Sequence, residues 1–158
     1  KNKIKKLIKQ KINEYKTKLY EKIAIELVEL SVLFLFEDNW RNLKSEQTHL
    51  VKALKRNRLE SVAYIENIIL ERIINLYYYI HFCPPADTKN RLYNLKKIIS
   101  PKIYTLILNS LPLKDFTKRN LLKRYKLFSK IIDYLKKEID KFLPDNLDLK
   151  SIYLTKRV

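Results

Sequence analysis

Glycine does not occur anywhere in this 158-residue chain. Average usage of about 7% would place roughly eleven glycines in a sequence of this length. Phosphate-cradling loops of nucleotide hydrolases, the dinucleotide-binding fingerprint and the Gly-flanked nucleophile turn all need backbone at positive φ or in close approach to a ligand, and glycine supplies it. The major nucleotide-binding and hydrolase folds built around such loops are therefore excluded.

The remaining composition is that of a folded protein. Hydrophobic residues make up 46% and aromatics 11% of the chain, more than a disordered segment of this charge would carry. One domain is the default at this length, with about two-thirds of the extended-chain surface available for burial. Lys and Arg outnumber Asp and Glu by 34 to 17, and a net charge of +17 favours an anionic partner, either nucleic acid or an acidic protein face. Cys83 is the sole cysteine, which rules out an internal disulfide and fits a reducing compartment; a small buried apolar role is its expected part. The most apolar run, from Leu30 to Phe36, is preceded by Glu26 and Glu29 and is too short for a membrane span, so it reads as buried core. No signal peptide is visible, and a chain that opens on Lys1 without any Met is expected to begin inside a longer translation.

Helical periodicity organises most of the sequence. Ile4, Leu7, Ile8, Ile12, Tyr15, Leu19, Ile23, Leu27, Leu30 and Phe34 mark one long helix, or two joined end to end, up to about Phe36. Lysines occupy the other faces of its first half; its second half is apolar all round and must be covered. Asp38, Asn39 and Asn42 suggest a connection anchored by Trp40. A second helix is expected to open near Ser45 and run unbroken to about Phe82, with Leu50, Leu54, Val62, Ile65, Ile69, Ile73 and Leu76 inward, until Pro84 and Pro85 end it. Leu92, Leu95, Ile98 and Ile99 predict a short helix, and Ser100 followed by Pro101 opens another to about Leu111. The last helix begins near Asp115 or Thr117, turns Leu121, Leu122, Tyr125, Phe128, Ile131, Ile132, Leu135 and Ile139 inward, and stops before Pro144. Lys150 to Thr155 alternates apolar and polar residues and reads as extended. The fold expected is an all-α multi-helix bundle with long amphipathic helices over residues 1–148. Residues 149–158 would begin a linker or β-rich segment.

Within the second helical region, Lys52, Lys55, Arg56 and Arg58 form a cationic cluster at one end of a stretch too apolar to stand alone in water. The cluster is either a solvated helix face or a site for phosphate or an acidic patch. For Val62 to Tyr79 the alternatives are a large internal core and an interface. The interface is the reading adopted, because Tyr77, Tyr78 and Tyr79 point in different directions on a helix and at least one ring must leave the core.

Three segments resemble the helical domain of a GINS subunit, a member of the four-protein ring that joins the replicative helicase. Arg56-Asn57-Arg58 followed two residues later by Ser61-Val62-Ala63-Tyr64 is similar to the long-helix motif of the partner of Sld five subunit one type. Tyr125-Lys126 with Tyr134 and Leu135 is similar to the family's last long helix. Lys150-Ser151-Ile152-Tyr153-Leu154 resembles the passage towards its small β-rich domain. The resemblance covers about Ser45 to Val158. It implies a non-catalytic scaffold in a nuclear hetero-tetramer, or a cytoplasmic one in an archaeon, that reaches the MCM helicase and a Cdc45-type protein through the assembly to support DNA replication. It further implies subunit-interface roles for Arg56, Arg58, Val62, Tyr64, Ile69, Arg72, Ile73, Tyr77, Tyr78 and Tyr125. The strong positive charge is not a hallmark of that family.

A nucleic-acid-binding module, such as a peripheral ribosomal protein, is the competing expectation; its phosphate contacts would come from Lys3 to Lys18 and from Lys118, Arg119, Lys123 and Arg124. Candidate anion-binding residues are thus Lys52, Lys55, Arg56, Lys118, Arg119, Lys123 and Arg124. No catalysis, cofactor, metal or membrane partner is expected: His49 and His81 lack ligands at metal-binding spacing, and Glu66 and Glu71 face different ways on a helix.

Overall fold

The computed structural model describes residues 2–142, and every element in them is a helix. In chain order these are α1 (Asn2–Lys55), α2 (Leu59–Ile80), α3 (Arg91–Ile98), α4 (Pro101–Ser110) and α5 (Lys118–Phe142). The all-α expectation is met. The extended segment expected from Lys150 to Thr155 lies outside the described residues. The chain divides into two compact units, Lys1–Phe34 and Leu35–Val158.

The second unit holds the core. Phe36, Trp40, Leu43, Leu50 and Ala53 line the inward face of α1 after residue 35, and the Phe36 and Trp40 rings stack with centroids 6.4 Å apart. No connection interrupts α1 at Asp38 to Asn42, contrary to the expectation from composition. Those short polar residues are accommodated inside the helix because Asn39 donates to the Leu35 carbonyl and Asn42 to the Asp38 carboxylate.

The break comes instead at Arg56-Asn57-Arg58, where an unbroken helix was expected. Asn57 adopts φ of 52°, the left-handed conformation that asparagine tolerates best after glycine. Its N–H donates to the Leu54 carbonyl, and the Arg58 N–H donates to the Ala53 carbonyl at 3.0 Å, closing the last turn of α1. The chain reverses into α2, which packs back along α1 so that Arg72 reaches the Asn39 side chain at 3.2 Å. Phe82, also at φ 52°, ends α2 with the same bonding pattern: Phe82 N–H to the Tyr79 carbonyl and Cys83 N–H to the Tyr78 carbonyl.

The later elements follow their sequence signals. Ser100 accepts a hydrogen bond from the Ile103 N–H and Pro101 occupies the first turn of α4. Asp115 accepts from the Thr117 N–H and hydroxyl and from the Asn120 side chain, while the Asn120 N–H donates to the Thr117 hydroxyl, so the loop is tied to the start of α5. Leu121, Phe128, Ile131, Ile132, Leu135 and Ile139 bury against the neighbouring helices as expected. Leu122 does not: it remains exposed, because it lies off the stripe that faces α2 and α4.

The first unit is the N-terminal part of α1. Leu7, Ile8, Ile12, Tyr15, Leu19, Ile23 and Leu27 are between 43% and 82% exposed, so the predicted stripe is present but nothing within its unit covers it. The run read as buried core is likewise open at Phe34 and Leu35, and among its described residues Phe36 alone is fully enclosed. The pairs Ile8 and Leu19, Ile12 and Ile23, and Ile23 and Phe34 are each eleven residues apart. An eleven-residue period is close to the natural pitch of a straight α-helix, so these side chains stay on one side of it.

Candidate functional site

The apolar residues assigned to an interface on α2 belong to the interior. Val62, Ile69, Ile73 and Tyr77 have no exposed surface and Tyr78 has almost none. Their interface assignment is corrected: the unit closes over them with its own helices. Tyr79 is buried too, so no ring of the three tyrosines leaves the core. The reason is that different elements surround α2. The Tyr77 hydroxyl donates to the Ile131 carbonyl of α5, and the Tyr78 hydroxyl donates to the Arg91 carbonyl at the start of α3. Burial pushes all three phenols above their ordinary range, with Tyr79 lying in the fields of Arg91, Arg72 and Asp38.

Arg72 is half-buried and held by Asn39; Tyr125 is half-buried on α5, where its carbonyl accepts from Ser129. Of the proposed interface residues, Arg56, Arg58 and Tyr64 are the ones fully at the surface.

Among the anion-binding candidates, Lys52, Lys55, Arg56, Lys118, Arg119 and Lys123 are exposed, and Arg124 is not. Arg124 retains 5% of its surface and is a structural cation. Its Nε donates to the Ser110 carbonyl at 2.7 Å, its Nη2 to the Asn67 side chain at 2.7 Å, and its Nη1 reaches Glu66 Oε2 at 3.4 Å. The guanidinium also lies 5.3 Å from the centre of the Phe128 ring. Three helices, α2, α4 and α5, are thereby tied through one side chain. Burial pushes the Glu66 carboxyl up to about 7, against the opposing pull of Arg124, and Glu66 Oε1 has no hydrogen-bond partner. The sequence did contain the signal for this pair. Glu66 falls on the stripe of Val62, Ile69 and Ile73, and Arg124 on that of Leu121, Phe128 and Ile131, so opposite charges occupy core positions of two different helices.

The histidines have local roles. His81 Nδ1 lies 2.8 Å from the Tyr77 carbonyl, and His49 Nδ1 is 3.6 Å from Glu46. Cys83 is half-buried and not enclosed, because it sits just past the left-handed end of α2, with Sγ 3.3 Å from the His81 carbonyl. Glu71 is exposed and pairs with Arg91 at 3.3 Å, on a different face from Glu66. No cluster of three metal-ligating side chains occurs among the described residues, and no helix there is long and apolar enough to cross a membrane.

Two surfaces remain without a structural role. One is the apolar stripe of α1 before Phe34. The other is the set of exposed cations around the starts of α2 and α5. The chain matches no family model, no curated protein and no solved structure.

Proposed function

We propose that this chain is the helical domain of a GINS subunit, a non-catalytic member of a hetero-tetramer that joins and activates the replicative helicase. The single observation that carries the assembly part of this reading is the uncovered stripe from Leu7 to Leu27 on α1. Seven large apolar side chains on one side of a helix are an unstable arrangement in water, and each gives about 1.5–3 kcal/mol when fully covered, before the cost of association. A partner helix laid along the stripe is the simplest cover, because an eleven-residue repeat drifts only slowly around the helix and suits a shallow right-handed supercoil.

The choice of family rests on the resemblance of Arg56-Asn57-Arg58 with Ser61 to Tyr64, a long-helix motif that here spans the turn between α1 and α2, and of the α5 pattern around Tyr125 and Tyr134. In this reading sister subunits supply the covering helices. MCM and a Cdc45-type protein are met through the assembled ring, and the localisation follows that of the replication machinery. The core residues of α2 take no part, so the contact depends on α1.

Co-expression with three sister GINS subunits, followed by size-exclusion chromatography with mass determination, tests this. A particle with one copy of each subunit is the expected result. A chain that elutes as a monomer beside a complex of the other three would overturn it.

A further inference from the structure

Cations separated by some sixty residues of sequence meet at one end of the second unit. Helices α2 and α5 run parallel and in step, since Arg124 reaches Glu66 and Asn67 while Ile131 accepts from Tyr77 further along. Glu66 and Arg124 each lie about two turns into their helices, so the two helices begin at the same level. Arg56 and Arg58 stand just before α2, and Lys118, Arg119 and Lys123 open α5. All five are exposed, and none has an acidic partner within ion-pair distance among the described residues. Lys52 and Lys55 differ, because they complement the negative end of α1.

Two large aromatic rings stand exposed at the same end. Tyr64, 69% exposed, lies about one and a half turns into α2 and about 160° around the helix from Glu66, so its ring stands on the open side of α2 at that end. Phe116, 55% exposed, immediately precedes the residue that caps α5. The nearby carboxylates reduce the field without cancelling it: Asp115, held ionised by the donors of Thr117 and Asn120, and Glu60 are two negative charges against five positive ones. The N-terminal ends of α2 and α5 add positive potential, which the negative end of α1 beside Arg56 partly offsets.

We propose that this end of the α2–α5 pair binds single-stranded nucleic acid. Arg56, Arg58, Lys118, Arg119 and Lys123 contact successive phosphates. Tyr64 and Phe116 stack on unpaired bases. An acidic protein face would engage the cations but leave both rings unused, and a duplex would hide its base faces from them. The proposal is separable from the α1 contact of the assembly reading, because none of these residues lies on the α1 stripe, although Arg56, Arg58 and Tyr64 belong to the motif on which the family choice rests.

Fluorescence anisotropy on the full chain, in whichever form it purifies, provides the test. The probes are labelled oligothymidine and oligouridine of about 12 nucleotides, and a duplex of equal length. Both single strands are expected to bind more tightly than the duplex, with equal affinity if backbone and stacking decide and with a preference for uridine if the 2′-hydroxyl is read. Lys118→Ala with Arg119→Ala should flatten the slope of log affinity against log salt by about 1.4, from roughly 0.7 per phosphate contact. Tyr64→Ala and Phe116→Ala should each weaken single-strand binding roughly tenfold while leaving duplex binding and the salt slope unchanged. All four positions are exposed, so circular dichroism should report an unaltered fold. Duplex binding equal to that of the single strands, or aromatic variants without effect, would overturn the proposal. So would an oligoglutamate peptide that binds where oligonucleotides do not, since the cations would then serve an acidic protein.

Discussion

Asn57 lets the chain turn without glycine. Its φ of 52° is costly for a residue with a Cβ unless the side chain is asparagine or aspartate, so Asn57→Ala is expected to lower stability by about 1 kcal/mol and Asn57→Gly to leave it nearly unchanged. Urea denaturation of the two variants checks this. The position explains why the hairpin was not legible beforehand: apolar spacing continues from Leu50 and Leu54 to Val62 and Ile65 as if one helix passed through. Only the bonds from residues 57 and 58 back to Leu54 and Ala53 reveal the reversal. Glu66 makes a second residue-level prediction. Its carboxyl is raised from an ordinary 4.5 to about 7, so the folded chain holds that proton more tightly than the unfolded one. The stabilisation is fully present below about 4.5 and is lost as pH rises through 7. Thermal melts from about pH 5 to about pH 8 should therefore show a decline in the parent that Glu66→Gln lacks.

At the level of elements, the boundaries written in local chemistry were readable and those that depend on neighbours were not. Ser100 and Pro101 announce α4 because a hydroxyl acceptor and a fixed φ act within one turn; Ser100→Ala should cost about 1 kcal/mol in chemical denaturation. Pro84 and Pro85 signal the end of the α2 region for the same local reason, although the left-handed Phe82 closes the helix before them. The burial of Tyr77, Tyr78 and Tyr79 could not be read from α2 alone, since it requires Ile131 from α5 and Arg91 from α3 to meet two of the hydroxyls. Arg124 was likewise read as a surface cation from its neighbours Lys123 and Arg119, although its phase matches Leu121 and Phe128. Removing it should be severe. Arg124→Ala leaves Glu66, Asn67 and the Ser110 carbonyl without their partner, and a loss of about 3–5 kcal/mol is expected in denaturant titrations. That is several times the effect at Ser100.

Across the whole molecule, apolar surface is distributed unevenly. The second unit encloses Phe36, Leu43, Leu50, Val62, Ile73 and Phe128 completely, whereas the first unit leaves Leu7 to Leu27 in water. Sequence periodicity located the stripe, and required cover only for its second half, where the helix is apolar all round. It placed the shared surface on α2 instead, because a stretch apolar on several faces looks the same whether covered from within or from outside. In the proposed assembly, association therefore falls to α1. Ile12→Asp combined with Leu19→Asp should change folding stability by less than about 0.5 kcal/mol, as exposed positions do, while abolishing co-purification with partners. The most direct measurement is the mass of the particle formed when the parent chain and this double variant are each co-expressed with three sister subunits. The parent is expected in an equimolar four-subunit particle and the variant outside it. A parent chain that stays monomeric, or a variant that assembles as well as the parent, would contradict the claim that the α1 stripe is covered by partners.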